Sequence, residues 1–194
     1  MNEETEPRKS ERLFRAIEFA SKAHSGQFRK GSGVPYIVHP LGVARILIEL
    51  GCSEEVVIAG VLHDVVEDTK FTLEDVRGEF GSEVARLVDG CTEPHHGSES
   101  WEVRKKHTVE LLKTAEMGVL LVACADKLDN LRSTLLDIDS IGDKVWGKFL
   151  RGRESQEWYF RSLAEVFMSR IDDGPSSVLF PQLNSVVEKV FSAS

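Results

Sequence analysis

The sequence predicts an all-α protein, a compact multi-helix fold, on three observations. Apolar residues recur at helical spacing in one segment after another. Glycine, proline, serine and aspartate gather between those segments, where turns belong. No alternation of apolar and polar residues runs long enough to build a sheet.

At 194 residues the chain fits one domain, 1–194, with its core at about 10–170 and a C-terminal helical extension at 175–194. It contains no internal repeat or low-complexity segment. No run approaches the ~18 apolar residues of a membrane span, so no membrane partner is expected. The polar, acidic start, Met1 to Pro7, is unlike a targeting segment. Cys52, Cys91 and Cys124 are odd in number and far apart, and read as reduced packing residues of a cytoplasmic protein. A net charge of −8 excludes a general nucleic-acid binder, which needs a basic footprint. It still allows a small phosphorylated ligand gripped by a few local cations. The sequence sets no oligomeric state.

Taken in order, Ser10 to His24 form an amphipathic helix on Leu13, Ile17 and Ala20, with His24 a cap or surface histidine. Ser25 to Pro35 is a breaker-rich loop carrying Arg29 and Lys30. Composition makes it a solvated tip; it grips an anion only if it closes over a site. Pro40 pushes His39 out of the α region, and a second helix follows on Leu41, Val43, Ala44, Ile46, Leu47 and Leu50. Ser53 then caps a helix with Glu54 and Glu55 in its first turn.

That third helix, continued through Thr69, is the centre of the chain. Wound at roughly 100° per residue, it puts His63, Asp64, Glu67 and Asp68 on one arc of about 140°. Val57, Ile58, Val61, Leu62 and Val65 turn mainly the other way. Ala59 and Gly60 leave room on the charged side for another group. An imidazole beside a carboxylate is a mixed nitrogen/oxygen donor set, suited to manganese, zinc or ferrous iron. The two later carboxylates are placed to hold or deprotonate a water. An arbitrary His-Asp pair is more often a helix cap with a solvated end, so the rest of the chain has to carry the functional reading.

Thr72 caps a short helix to Phe80, and the chain restarts at Gly81 with Val84, Leu87 and Val88 inward. Cys91 to Ser100 is a polar loop whose His95 and His96 read as surface residues. Trp101 to Glu116 is helical. Its basic run, Arg104 to His107 with Lys113, reads as a solvated face, part of which can lean towards a phosphate. From Val119 to Ala125 the chain is apolar enough for burial all round, so Asp126 behind it needs a partner or a cation. Asp126, Asn130 and Ser133 share one helical stripe, either a core hydrogen-bond network or, with the His-Asp pair, a fourth metal ligand and its neighbours. Asp137 to Lys148 is a connector. Glu154 to Ile171 is a helix whose aromatic stripe is core, with a hydroxyl on Tyr159. Asp172 to Pro175 break the chain, and Leu183 to Phe191 form a last short helix.

Three segments together, RKGSGVPYIVHP (29–40), LHDVVEDT (62–69) and ADKLDNLRS (125–133), resemble the hydrolase domain of RelA/SpoT-type alarmone enzymes, a branch of the HD-domain metal-dependent phosphohydrolases. The likeness runs from about residue 10 to 170, and the length resembles the small stand-alone alarmone hydrolases, such as the metazoan SpoT homologue. It implies His39, His63, Asp64 and Asp126 as ligands of one divalent ion, usually manganese, with Glu67 and Asp68 the catalytic pair. It implies Arg29, Lys30, Asn130, Ser133 and Tyr159 as substrate contacts. Lys127 joins the cations that offset phosphate charge. The implied reaction removes the 3′-pyrophosphate of guanosine tetra- or pentaphosphate, a small-molecule nucleotide substrate.

The chain departs from the family pattern at Ala123, where a lysine is common, at Lys127 in place of arginine, at Ser133 in place of threonine, and in a basic loop one residue longer. These changes leave the base and phosphate preference open. An adenosine alarmone, NADPH 2′-phosphate or a nucleoside monophosphate is the alternative substrate. A non-enzymatic metal-stabilised module is the third reading, and the intact Glu67–Asp68 pair speaks against it.

Overall fold

The computed structural model describes residues 11–93 and 99–192. Ser10, expected to open the first helix, and His95 and His96 lie outside the described residues, as do Met1 to Pro7. Every regular element of the described residues is helical, with no strand and one isolated bridge between Phe28 and Pro35. None of its helices is long and apolar enough to cross a membrane.

α1 (Glu11–Ala23) buries Ala16 and Ala20, and the loop after it leads to α2 (Val38–Glu49). Here the structure corrects the sequence reading. His39 is not driven out of the α region; it lies in the first turn of α2, directly before Pro40. A first-turn residue has no helical acceptor for its N–H, so proline there sacrifices nothing, and the bias it places on its neighbour is outweighed.

α3 (Glu54–Leu62) starts on the Ser53 side chain, which accepts from the Val56 N–H, and all of its residues from Val56 to Leu62 are buried. The expected continuous helix to Thr69 is broken. α3 stops at Leu62, and a single turn, α4 (Val65–Asp68), resumes after His63 and Asp64. His63 keeps helical backbone angles (φ −56, ψ −35), whereas Asp64 departs from them at φ −92, ψ −7, which is where the helix breaks. Gly60 does leave room, and α2 takes it: a Cβ there would come within 2.6 Å of Leu47 Cδ1.

α5 (Leu73–Phe80) opens on a full capping box between Thr72 and Asp75, and α6 (Ser82–Cys91) faces Val84, Ala85, Leu87 and Val88 inward. In α7 (Trp101–Thr114) Val109 and Leu112 are buried, whereas Val103 and Leu111 are exposed. α8 (Met117–Ile141) is the longest element and runs through the core, with α2 and α3 against it.

The expected connector at 137–148 is instead helical. α8 continues to Ile141, Gly142 at φ 61 ends it, and a 3₁₀ segment covers Gly142–Lys148. α9 (Gly152–Ser169) carries the aromatic stripe. α10 (Pro175–Ser192) is twice the expected length. Pro175 suits its first position, and Pro181 inside it is tolerated because Leu179, Phe180, Leu183, Val187 and Val190 are buried along its length, packed on α8 and α9.

Candidate functional site

The core layout brings three distant points together. His39 enters from the first turn of α2, His63 and Asp64 from the break between α3 and α4, and Asp126 from the middle of α8. One donor atom each from His39, His63 and Asp126 lie within 4.8 Å of one another, and all three residues are buried. His39 Nε2 is 3.1 Å from Asp126 Oδ1 and 3.7 Å from Asp64 Oδ2. His63 Nε2 is 3.0 Å from Asp64 Oδ2 and 3.8 Å from Asp126 Oδ1. Donors held around one first-row cation sit roughly 3.0–3.5 Å apart. The spacing therefore fits a single ion.

Proton positions fit it too. His63 Nδ1 lies 2.9 Å from the Gly60 carbonyl, which can only accept, so Nδ1 carries the hydrogen. His39 Nδ1 is likewise 2.6 Å from the Asp129 carboxylate. Both rings thus turn Nε2 inward. The His63 Nε2 is buried without a hydrogen-bond partner, although an Asp64 oxygen lies close by, off the line an N–H would need. A metal ligand is expected to look like this: one ring nitrogen anchored, the other aimed at a shared centre.

Electrostatics follow from that crowding. Burial opposes charge on His63, but Asp64 and Asp126 outweigh it and push the imidazole up to about 9. Burial would also raise Asp64 and Asp126. The imidazoles hold Asp64 below the usual carboxylate range, and Lys127 with His39 and His63 does the same for Asp126. Lys127 Nζ reaches Asp126 Oδ2 at 2.6 Å, and Asn130 Nδ2 donates to Oδ1 at 2.6 Å. The buried Asp126 is thus paired, as its position behind an apolar run required.

These groups line one side of a cavity of about 160 Å³. Glu67 stands on its wall, and burial, with Asp64, Glu93 and Asp68 nearby, holds its pKa above the ordinary carboxylate range. Asp68 lies outside the cavity lining; although the residue is exposed, desolvation of its carboxylate and then the nearby Asp64 raise its pKa. Arg29 donates to Asn130 Oδ1 at 2.8 Å, so one side chain of the basic loop reaches the cavity. The Tyr159 hydroxyl is buried without a partner, and Lys127 and Lys105 also border the cavity. Lys30 is exposed and Ser133 half-buried, both outside the cavity lining.

Several residues that sequence reasoning passed over belong to the site. Tyr36 donates to Asp64 Oδ2 at 2.6 Å; its place three residues before His39, on the chain that enters α2, was the available sign. Asp129 sits one helical turn after Asp126, on the same side of α8. Glu93 is buried next to the polar loop; its N–H meets Glu67, and its side chain takes Lys105 at 2.7 Å. Lys105 therefore does not belong to the solvated face expected for its run.

Comparison with known proteins supplies the wider setting. An HD domain profile matches residues 16–153. The human MESH1 protein, named as a guanosine-3′,5′-bis(diphosphate) 3′-pyrophosphohydrolase, is 42% identical over 149 residues, covering 75% of this chain and 79% of its own. The Aquifex aeolicus protein of the same activity name is 42% identical over 128 residues, 66% of this chain, but the match spans only 18% of its length. Among solved structures, lmo0812 from Listeria monocytogenes superposes with a TM-score of 0.74 at 42% identity, covering 79% of this chain and 99% of its own. A metazoan SpoT orthologue described as hydrolysing ppGpp gives 0.71 at 28% identity over 94% and 95%. With that profile over most of the described helices and a small relative matched along most of its length, the chain belongs to the HD domain family.

Proposed function

We propose that this protein is a metal-dependent 3′-pyrophosphohydrolase of guanosine tetra- and pentaphosphate, giving pyrophosphate and GDP or GTP. The observation that supports this most is the convergence of two imidazole nitrogens and two aspartates on one cavity that Arg29, Lys105 and Lys127 also line. The activity named for MESH1 and for the Aquifex aeolicus protein points the same way.

In this reading His39, His63, Asp64 and Asp126 hold one divalent cation, proposed to be manganese. Bound there, such an ion supplies Lewis acidity to water and to phosphoryl oxygen. Glu67, with its raised proton affinity, takes the proton of the attacking water. The water oxygen bonds to the phosphorus on the 3′ oxygen, that P–O bond breaks, and the 3′ oxygen leaves with a proton. Asp68, tied to the Tyr36 hydroxyl at 3.2 Å, helps orient the water. Arg29, Lys127, Asn130 and Tyr159 meet the nucleotide inside the cavity. Lys30 and Ser133 meet only the parts that project beyond it. Residues 1–194 act as one domain, with α10 fastened to α8.

A second reading, hydrolysis of another nucleotide, has one specific observation in its favour. Ala123 lines the cavity where the family pattern places a lysine, so one expected cation is absent there. Incubating the manganese-loaded protein with guanosine and adenosine alarmones, NADPH and nucleoside monophosphates separates the two. Pyrophosphate release from the guanosine alarmones supports the proposal. Orthophosphate alone, or turnover only of the others, replaces it with the second reading.

A further inference from the structure

Asp129 has a carboxylate placed where it can act on the metal site without touching the metal. It lies three residues after Asp126 on α8, and its Oδ2 is 2.6 Å from His39 Nδ1, across the ring from the Nε2 that faces Asp126 and Asp64. The ring is 1% exposed and the carboxylate 21%, so the pair sits at the edge of the protein interior, largely out of water.

A second observation, on α2, concerns the same carboxylate. Gly42 stands one turn after His39, and a Cβ built there would fall 2.3 Å from Asp129 Oδ1 and 3.0 Å from its Cγ. The glycine makes no positive-φ turn and caps nothing. Its lack of a side chain is what lets the α8 carboxylate lie flat against α2 and meet the histidine ring. Glycine is disfavoured inside a helix relative to alanine, so α2 gives up helical stability at the point where this contact is made.

We propose that Asp129 is the positioning residue of the metal centre: its carboxylate fixes His39 as the Nδ1–H tautomer and sharpens Nε2 as a donor, with Gly42 as the clearance that admits it. His63 has only a neutral carbonyl in the same role, so the two imidazoles are held by unequal partners. The pair rests on the reading of His39, His63 and Asp126 as ligands, but it does not depend on which nucleotide is turned over. Partners of this kind typically change metal affinity by 10–100-fold.

Binding of Mn²⁺ and Co²⁺ to the purified full chain tests this directly, by competition with a chromophoric chelator and from the Co²⁺ visible spectrum. Asp129→Asn keeps the shape and a hydrogen-bond acceptor but not the charge. It should weaken both ions about tenfold and shift the Co²⁺ bands, while the metal-free melting temperature stays near the parent's. Asp129→Ala should weaken binding further. Gly42→Ala should do so in the parent yet add little in the Asp129→Ala background, because the methyl acts by displacing the carboxylate. Unchanged affinity and spectrum in Asp129→Asn, or equal effects of Gly42→Ala in both backgrounds, would overturn the assignment. So would a parent protein that takes up neither ion, which would remove the metal reading as well. Turnover is not read, so a protein that binds metal normally and leaves alarmones intact counts against the proposed function alone.

Discussion

The Tyr36 hydroxyl donates to Asp64 Oδ2 at 2.6 Å and also lies 3.2 Å from Asp68 Oδ2. One phenol thus bridges a candidate metal ligand and a candidate catalytic carboxylate, and joins the chain before α2 to the break after α3. Burial and the neighbouring Asp64 push its pKa up, so it stays a donor across the working range.

Tyr36→Phe removes that donor and leaves Asp64 free to rotate. A hydrogen bond to a charged group contributes about 1.5–3 kcal/mol. The variant should bind Mn²⁺ roughly tenfold more weakly and lose more turnover than affinity, since Asp68 is released too. Chelator competition and steady-state kinetics measure the two separately.

Metal uptake should release protons. Near pH 7 the metal-free protein carries His63 protonated, because its pKa is pushed up to about 9, and a ligating imidazole must give up that proton. Against its burial, His39 is also held above its ordinary value by Asp126 and Asp129. Calorimetry in buffers of different ionisation enthalpy should therefore find at least one proton lost per ion at pH 7, and fewer above pH 9.

Without metal, the same groups set a stability window. Protonated His63 stabilises the fold fully below its ordinary value of 6.5, and that contribution fades as pH rises through about 9. Asp64 and Asp126 contribute above the ordinary 3.8, and theirs is lost as pH falls through their depressed values. The metal-free melting temperature should therefore be highest between about pH 4 and 6.5 and fall towards pH 9; added Mn²⁺ should flatten the alkaline side.

Glu67→Gln and Asp64→Ala should fail differently. The first should keep the metal and lose on the order of 10²–10⁴ in turnover, the range for a general base. The second should lose bound metal and turnover together. In the parent, kcat/KM should climb with pH through a midpoint above the ordinary glutamate value of 4.5, because Glu67 is held higher.

Gly60→Ala tests the packing behind the site. Its methyl would meet the fully buried Leu47 at 2.6 Å and Val43 at 3.2 Å. Overpacking of this kind destabilises by about 1–3 kcal/mol, which should lower the melting temperature by several degrees, read by circular dichroism.

Much of this was legible in the sequence because it is local. Ser53 and Thr72 announce their helices through contacts three residues away, and the buried stripes follow the helical period. What could not be read is what tertiary packing decides. Pro40 and Pro181 look like helix breakers, yet each sits inside a helix, the first in an opening turn and the second under buried neighbours. In the site, residues with marked chemistry on a helical face, such as His63, Asp64 and Asp126, stood out. Tyr36, Asp129 and Glu93 did not, because their roles come from partners 28, 90 and 26 positions away.

The imidazole of His63 closes the end of α3 by capping one of its last open carbonyls, that of Gly60. Fold and ligand geometry therefore share a single clock. Inserting or deleting one residue between Ser53 and His63 would swing that ring about 100° around the axis and carry Asp64 with it. The span has no slack for length variation, even though its buried part, Val56 to Leu62, is made of ordinary small and aliphatic residues.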